Sequence, residues 1–149
     1  MQIVEFGTGN WTVYAVCSEP STCAVIELIG ELDAKRASAV LADLQRYVPS
    51  SMPHDWVKGD FSWKLRGSES ILEFRWSTKG GGTPRVYWFF DANRIIVCSH
   101  GVNKKGKTDE ADIRFAERTR NDYLEAKKFG QLNIVKYKDF VDPKDGELK

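Results

Sequence analysis

At Phe61 the hydrophobic spacing of this chain changes from that of a helix to that of a strand, and the change limits what it can fold into. Before it, Val25, Ile26, Leu28 and Ile29 supply the buried side of one helix. Ala37, Val40, Leu41, Leu44, Tyr47 and Val48 follow the 3, 4, 7 spacing of a second. After it, Phe61, Trp63 and Leu65 alternate with Ser62, Lys64 and Arg66. Residues 71–76, 85–90 and 94–100 continue as strands, separated by the glycine-rich stretch 77–83 and a short turn at Asp91, Ala92 and Asn93. The pattern predicts an antiparallel helix hairpin over 18–48, followed by an antiparallel meander of three or four strands.

The ends of the chain complete the reading. Residues 1–6 and 11–17 read as strands around a turn at Gly7, Thr8, Gly9 and Asn10. Ser18, ahead of Pro20, opens the first helix. Asp33 caps the second, and Pro49 and Pro53 end it. A last helix starts near Thr108 or Asp109 and runs to about Lys128, with Ile113, Ala116, Tyr123 and Leu124 on one side. The remaining 129–149 is polar and reads as a loose tail. The 149 residues thus make one domain over 1–128 with a tail over 129–149.

Composition excludes several classes of function. No apolar run approaches the ~18–20 residues of a membrane span. Three cysteines, Cys17, Cys23 and Cys98, form no CxxC pair, and with His54 and His100 far apart they make no standard metal site. A cytoplasmic protein without metal or cofactor is expected. The net charge of +1 is uneven: residues 1–56 carry −4, residues 57–107 carry +6 and residues 108–149 carry −1. The basic middle can bind phosphate backbones, although a solvated surface is the simpler reading.

Sorting the strands by face places that charge. Leu72, Phe74 and Trp76 share one face with Val86, Trp88 and Phe90, which is the expected core. Arg75, Arg85, Tyr87 and Phe89 then lie on the opposite, open face, joined by Lys64 and Arg66. If the glycine loop closes a simple hairpin, Arg75 and Arg85 are directly opposed. Like charges across a ladder destabilise by roughly 0.2–1 kcal/mol, and an anion between them reverses the sign. Two readings follow: a surface for phosphate and base, or a solvated, half-exposed sheet whose arginines pair with Glu73 or with acids elsewhere.

The run Ser99, His100, Gly101, Val102, Asn103, Lys104, Lys105, Gly106, Lys107 lacks the spacing of a nucleotide P-loop. A two-residue turn after Asp91 puts His100 opposite Arg85 on the open face, and a three-residue turn sends it to the core side. Arg114, Arg118 and Arg120 on the last helix have Asp112, Glu117 and Asp122 as local partners and read as a charged helix surface. The cysteines read as small buried hydrophobes.

Order and motifs together resemble the RelE/ParE toxin superfamily, in particular its HigB-like, phage Gp49-like branch. The resemblance covers roughly residues 11–127. It rests on Lys64-Leu65-Arg66-Gly67, Leu72-Glu73-Phe74-Arg75, Arg85-Val86-Tyr87-Trp88-Phe89-Phe90 and the hydrophobic strand leading into 99–107. Val102 stands where an aromatic is usual, Gly106 where a threonine is common, and the loop of Gly80, Gly81 and Gly82 is longer than usual.

The resemblance implies an α+β, RelE-like fold: an N-terminal helix hairpin packed on a mainly antiparallel sheet of four to five strands, with a C-terminal helix. It implies the toxin of a toxin–antitoxin pair, an endoribonuclease that cuts mRNA on the ribosome and is neutralised by an antitoxin with a helix-turn-helix domain. In that chemistry the 2′-hydroxyl attacks the adjacent phosphate. Arg75 and Arg85 are then the groups that stabilise the phosphoryl oxygens. His100, Lys104 and Lys105 are candidates for acid and base, since crowded positive charge lowers a lysine pKa. Lys64, Arg66, Tyr87 and Lys107 would bind RNA. Two alternatives remain open: a ParE-like inhibitor of DNA gyrase, and a decayed prophage toxin that binds RNA or protein.

Overall fold

The computed structural model describes residues 1–66, 70–77, 82–104 and 110–142. Strands β1 (Gln2–Thr8) and β2 (Thr12–Glu19) pair antiparallel. The chain turns at Pro20 and Ser21 into the short β3 (Thr22–Cys23), which leads directly into α1 (Ala24–Glu31). The first helix therefore starts at Ala24 and not near Ser18. Pairing of Cys17 with Cys23 and of Glu19 with Thr22 holds this stretch extended.

Asp33 caps α2 (Ala34–Ala42) as its sequence position predicts. Its carboxylate accepts from the Arg36 backbone N–H at 2.9 Å and from Arg36 Nε at 2.8 Å. The helical run widens into a π-helical turn at Asp43–Tyr47 and ends in α3 (Val48–Ser50), so Pro49 lies within the last turn. The meander follows as β4 (Phe61–Leu65), β5 (Leu72–Trp76), β6 (Thr83–Asp91) and β7 (Ile95–Lys104). Then come α4 (Glu110–Lys128), β8 (Asn133–Lys136) and α5 (Tyr137–Val141).

These strands form one mixed eight-stranded sheet, ordered β4-β5-β6-β7-β2-β1-β8, with β3 attached to β2. The expected α+β layout, four to five mainly antiparallel strands under an N-terminal helix hairpin, is therefore corrected. Among the described residues the strands are eight, the helices follow β1–β3, and β2–β7 and β1–β8 are parallel. Parallel pairing leaves no local turn signal, because the partners are far apart in sequence. Strand β8 is four residues, too short for an alternation to be read. The stretch 129–142, expected to be loose, contains β8 and α5. It is tied to the start of the chain where the Met1 amine donates to the Gln131 carbonyl at 2.7 Å.

The central strands of the sheet are buried on both sides, while the edge strands β4 and β8 are partly exposed. On one face Val25, Leu28, Ile29, Val40, Leu44 and Val48 pack with Phe74, Trp76, Val86 and Trp88. The Phe74 and Trp88 rings stack at 4.5 Å, an arrangement that adds about 0.5–1.5 kcal/mol beyond area burial. On the other face Ile71, Tyr87, Phe89 and Val97 pack with Ala116 and Tyr123 of α4. The face read as open is thus a second core. The inner stripe of α4 is Ala116, Thr119, Tyr123 and Ala126, with Ile113 and Leu124 packed beside it, so the side expected to be apolar is the packed one. Among the described residues no helix is long and apolar enough to cross a membrane.

Candidate active site and nucleic-acid interface

Pairing of β5 with β6 sets Arg75 directly opposite Arg85. Glu73, two residues before Arg75 and on the same face, is only 1% exposed. Its carboxylate meets three guanidinium groups: Arg66 Nε at 2.7 Å, Arg75 Nε at 3.2 Å and Arg85 Nε at 3.6 Å. A buried carboxylate is costly unless paired, and the three arginines supply the pairing. Glu73 thus removes the repulsion that an opposed Arg75 and Arg85 would otherwise carry. Arg75 keeps 26% of its side chain exposed. Arg85, expected on an open surface, is 2% exposed and lies beneath the covered part of the face.

The position of His100 depends on two irregularities. The turn between β6 and β7 has three residues, Ala92 to Arg94, since Asp91 pairs with Ile95; Asn93 and Arg94 take the left-handed conformation with φ of 63° and 58°. That turn alone would send His100 to the aromatic core side. A β-bulge intervenes: Trp88 faces Cys98 and Tyr87 faces His100, leaving Ser99 as the extra residue. His100 is thereby returned to the face of Arg85 and Tyr87, and Lys104, opposite Thr83, follows on the same face.

His100 is enclosed. Its ring stacks on Tyr87 at 5.0 Å and meets Phe115 edge-on at 4.8 Å. Nδ1 lies 3.0 Å from Ser99 Oγ, and Nε2 lies 3.2 Å from Asp112 Oδ1 in the first turn of α4. The other Asp112 oxygen is 2.6 Å from Lys104 Nζ. Burial pushes the imidazole below its ordinary pKa, against the opposing pull of Asp112. Burial alone would raise the Asp112 carboxyl, but hydrogen bonds from Lys104 and His100 hold it below the usual range. At neutral pH the site therefore contains an uncharged imidazole and an ionised carboxylate. A carboxylate only accepts, so Nε2–H donates to Asp112 while Nδ1 accepts from the Ser99 hydroxyl.

The structure brings together Arg75, Arg85, Tyr87, His100 and Lys104, with Arg66 joined through Glu73. Lys64 is exposed on β4 and pairs in register with Glu73, at the uncovered margin of the same face. Lys105 and Lys107 lie outside the described residues. Two acidic members, Glu73 and Asp112, were not among the candidate site residues. Glu73 had a signal, being interleaved with arginines on one face of a strand. Asp112 read only as a partner for arginines on its own helix, because its contact with β7 is tertiary. Together Arg66, Arg75, Arg85 and Lys104 outnumber the two carboxylates, leaving excess positive charge.

All of these residues fall within a match to a family model, described as phage derived protein Gp49-like (DUF891), over residues 27–121. The chain belongs to that family. The Gp49-like proteins form part of the RelE/ParE-like toxin group, the toxins of toxin–antitoxin systems, and membership implies an antitoxin as partner. The match runs from within α1 to within α4, so β1, β2, β3, β8 and α5 of this Gp49-like chain lie outside it. No curated protein and no solved structure matches the chain.

Proposed function

We propose that this Gp49-like protein is an endoribonuclease that cuts mRNA on the ribosome. The observation that carries the reading is the convergence of opposed Arg75 and Arg85, the stacked Tyr87 and His100, and Lys104 on one sheet face. RNA brings its own nucleophile, so such an enzyme must mainly position the chain, move protons and stabilise the phosphoryl oxygens. The 2′-oxygen forms a bond to phosphorus as the P–O5′ bond breaks, giving a cyclic phosphate and a free 5′-hydroxyl. His100, uncharged at neutral pH, takes the 2′-hydroxyl proton at Nε2. Ser99 can donate or accept, so reorienting its hydroxyl permits the tautomer with that lone pair. The Lys104 ammonium, or that of neighbouring Lys105, returns a proton to the departing 5′-oxygen. Arg75 and Arg85 hold the phosphoryl oxygens, while exposed Lys64 and half-exposed Arg66 extend the basic track along β4 and its end. Tyr87, stacked on His100, keeps the imidazole plane fixed.

The test is controlled expression in bacteria with transcript ends mapped across the genome, alongside cleavage of ribosome-bound mRNA by purified protein. New 5′-hydroxyl ends inside coding regions are expected. Growth arrest with altered plasmid supercoiling and no new ends would replace this reading with gyrase inhibition. Neither effect would leave a binding domain.

A further inference from the structure

Resting on that reading, we infer that the Asp112 carboxylate occupies the place of the substrate phosphate, so that the site is closed by an internal anion which an RNA phosphodiester must displace. Asp112 bridges the two groups that an incoming phosphate would need, His100 Nε2 at 3.2 Å and Lys104 Nζ at 2.6 Å. Both ring nitrogens of His100 are engaged inside the protein, Nδ1 by Ser99 and Nε2 by Asp112. His100 is 8% exposed and Arg85 is 2% exposed. In this arrangement neither can touch a nucleic acid, although their chemistry suits one.

A phosphodiester, like a carboxylate, brings anionic oxygens to the Lys104 ammonium, and its adjacent 2′-hydroxyl can take the place of Asp112 Oδ1 at His100 Nε2. Exchange of one for the other keeps Lys104 paired and leaves His100 Nε2 facing the substrate. The two ends of α4 are held differently. Its C-terminal half is pinned where Tyr123 Oη and Lys127 Nζ each donate to Asp91 Oδ2 at 2.8 Å. At its N-terminal end, Asp112 bonds His100 and Lys104 of β7, beside the contact of Phe115 with the His100 ring. Release of the carboxylate removes the ionic part of that attachment while the far end stays bonded to Asp91.

The probe is a 2′-O-methyl RNA oligonucleotide, which binds but cannot be cleaved, with a DNA oligonucleotide of the same sequence in parallel. Asp112→Asn keeps the shape and removes the charge. Closure by an internal competitor reduces apparent affinity by the fraction of molecules that are open, so Asp112→Asn is expected to tighten RNA binding on the order of tenfold. Glu110→Gln removes a charge from the same turn, where Glu110 pairs with exposed Arg114, and is expected to change binding less than about twofold. Equal tightening by both variants would reduce the effect to bulk charge and overturn the inference, as would unchanged or weaker binding by Asp112→Asn. Tightening for DNA but not for the RNA would overturn the assigned ligand.

A measurement on the unmodified protein does not depend on the variant folding. Adding the RNA should shift the His100 imidazole nitrogen resonances as the Nε2–Asp112 bond is lost, and unmoved resonances at saturation would sink the idea. None of these readouts requires cleavage. A protein that never cuts mRNA but tightens on Asp112→Asn would refute the nuclease reading alone. One that cuts mRNA without tightening would refute this inference alone.

Discussion

Arg75 and Arg85 face each other across the β5–β6 ladder, and Oε1 of Glu73 lies 3.2 Å and 3.6 Å from their Nε atoms. The opposition of two cations, unfavourable by itself, is made stable by a carboxylate buried between them. Removing that charge leaves three guanidiniums without their shared anion. Glu73→Gln is therefore expected to cost about 3–5 kcal/mol, the range for breaking a buried ion pair from one side. Urea unfolding of the variant would measure it. A loss within about 0.5 kcal/mol, typical of surface changes, would mean that solvent already screens the cluster.

The two arginines should separate when stability and cleavage are measured together. Arg75 retains a quarter of its side-chain exposure, so Arg75→Ala should unfold within about 1 kcal/mol of the native protein. Its cleavage rate should fall about 10²–10³-fold, the usual loss when one transition-state donor is removed. Arg85→Ala should lose cleavage and stability together, because the side chain is buried against Glu73. Equal stability losses in the two variants would contradict the difference in burial.

How much of this was legible beforehand depended on how local each signal was. Strand alternation along residues 71–76 and 85–90 puts Arg75 and Arg85 on one face, since the period is encoded within a few residues; their direct opposition, expected only if the glycine loop closes a simple hairpin, is found in the β5–β6 register. The covering of that face by α4 was not legible. The apolar side of α4, with Ile113, Ala116, Tyr123 and Leu124, is legible, but which face of the sheet it covers is set by tertiary packing, and Asp112 reaches His100 only after the chain has folded. His100 itself was left undecided between two turn lengths. The deciding feature was the bulge at Ser99, which has no glycine or proline to announce it. Gly7 shows the converse error. It read as turn punctuation but lies in β1, where a Cβ would collide with the Gln45 carbonyl of the π-helical turn. Its role there is close approach of backbone.

The C-terminal segment gives a prediction that its sequence conceals. Tyr137 and Phe140 pack against the main core, and the Tyr137 ring lies 5.2 Å from that of Phe6. Removing residues 131–149 would strip these rings away and leave β1 as an unpaired edge. Fully burying one such large side chain is worth roughly 1.5–3 kcal/mol, and these two rings are partly buried, so the truncated chain should lose about 2 kcal/mol. An exposed β1 edge should also make it associate, visible as a rising apparent mass with concentration in light scattering. A truncated chain as stable and monomeric as the full one would show that β8 and α5 contribute nothing to the fold.

The pH dependence of stability should show His100 and Asp112 in separate windows. In the unfolded chain a histidine takes up its proton near pH 6.5, whereas burial holds His100 below that value in the fold. Below pH 6.5 the unfolded state therefore binds more protons. The contribution of His100 is fully present above that point and declines as pH falls. Asp112, held below its ordinary value by Lys104 and His100, adds stability that is present above the unfolded carboxyl pKa of about 3.9 and lost as pH drops through its folded value. Thermal melts from pH 8 to 3 should then show one decline starting near 6.5 and a steeper one below about 4. His100→Gln should flatten the upper decline and leave the lower one in place. His54 makes an internal control, because its side chain is 79% exposed and, among the described residues, pairs with its neighbour Asp55. If His54→Gln flattens the upper decline and His100→Gln does not, the buried imidazole has been assigned to the wrong residue.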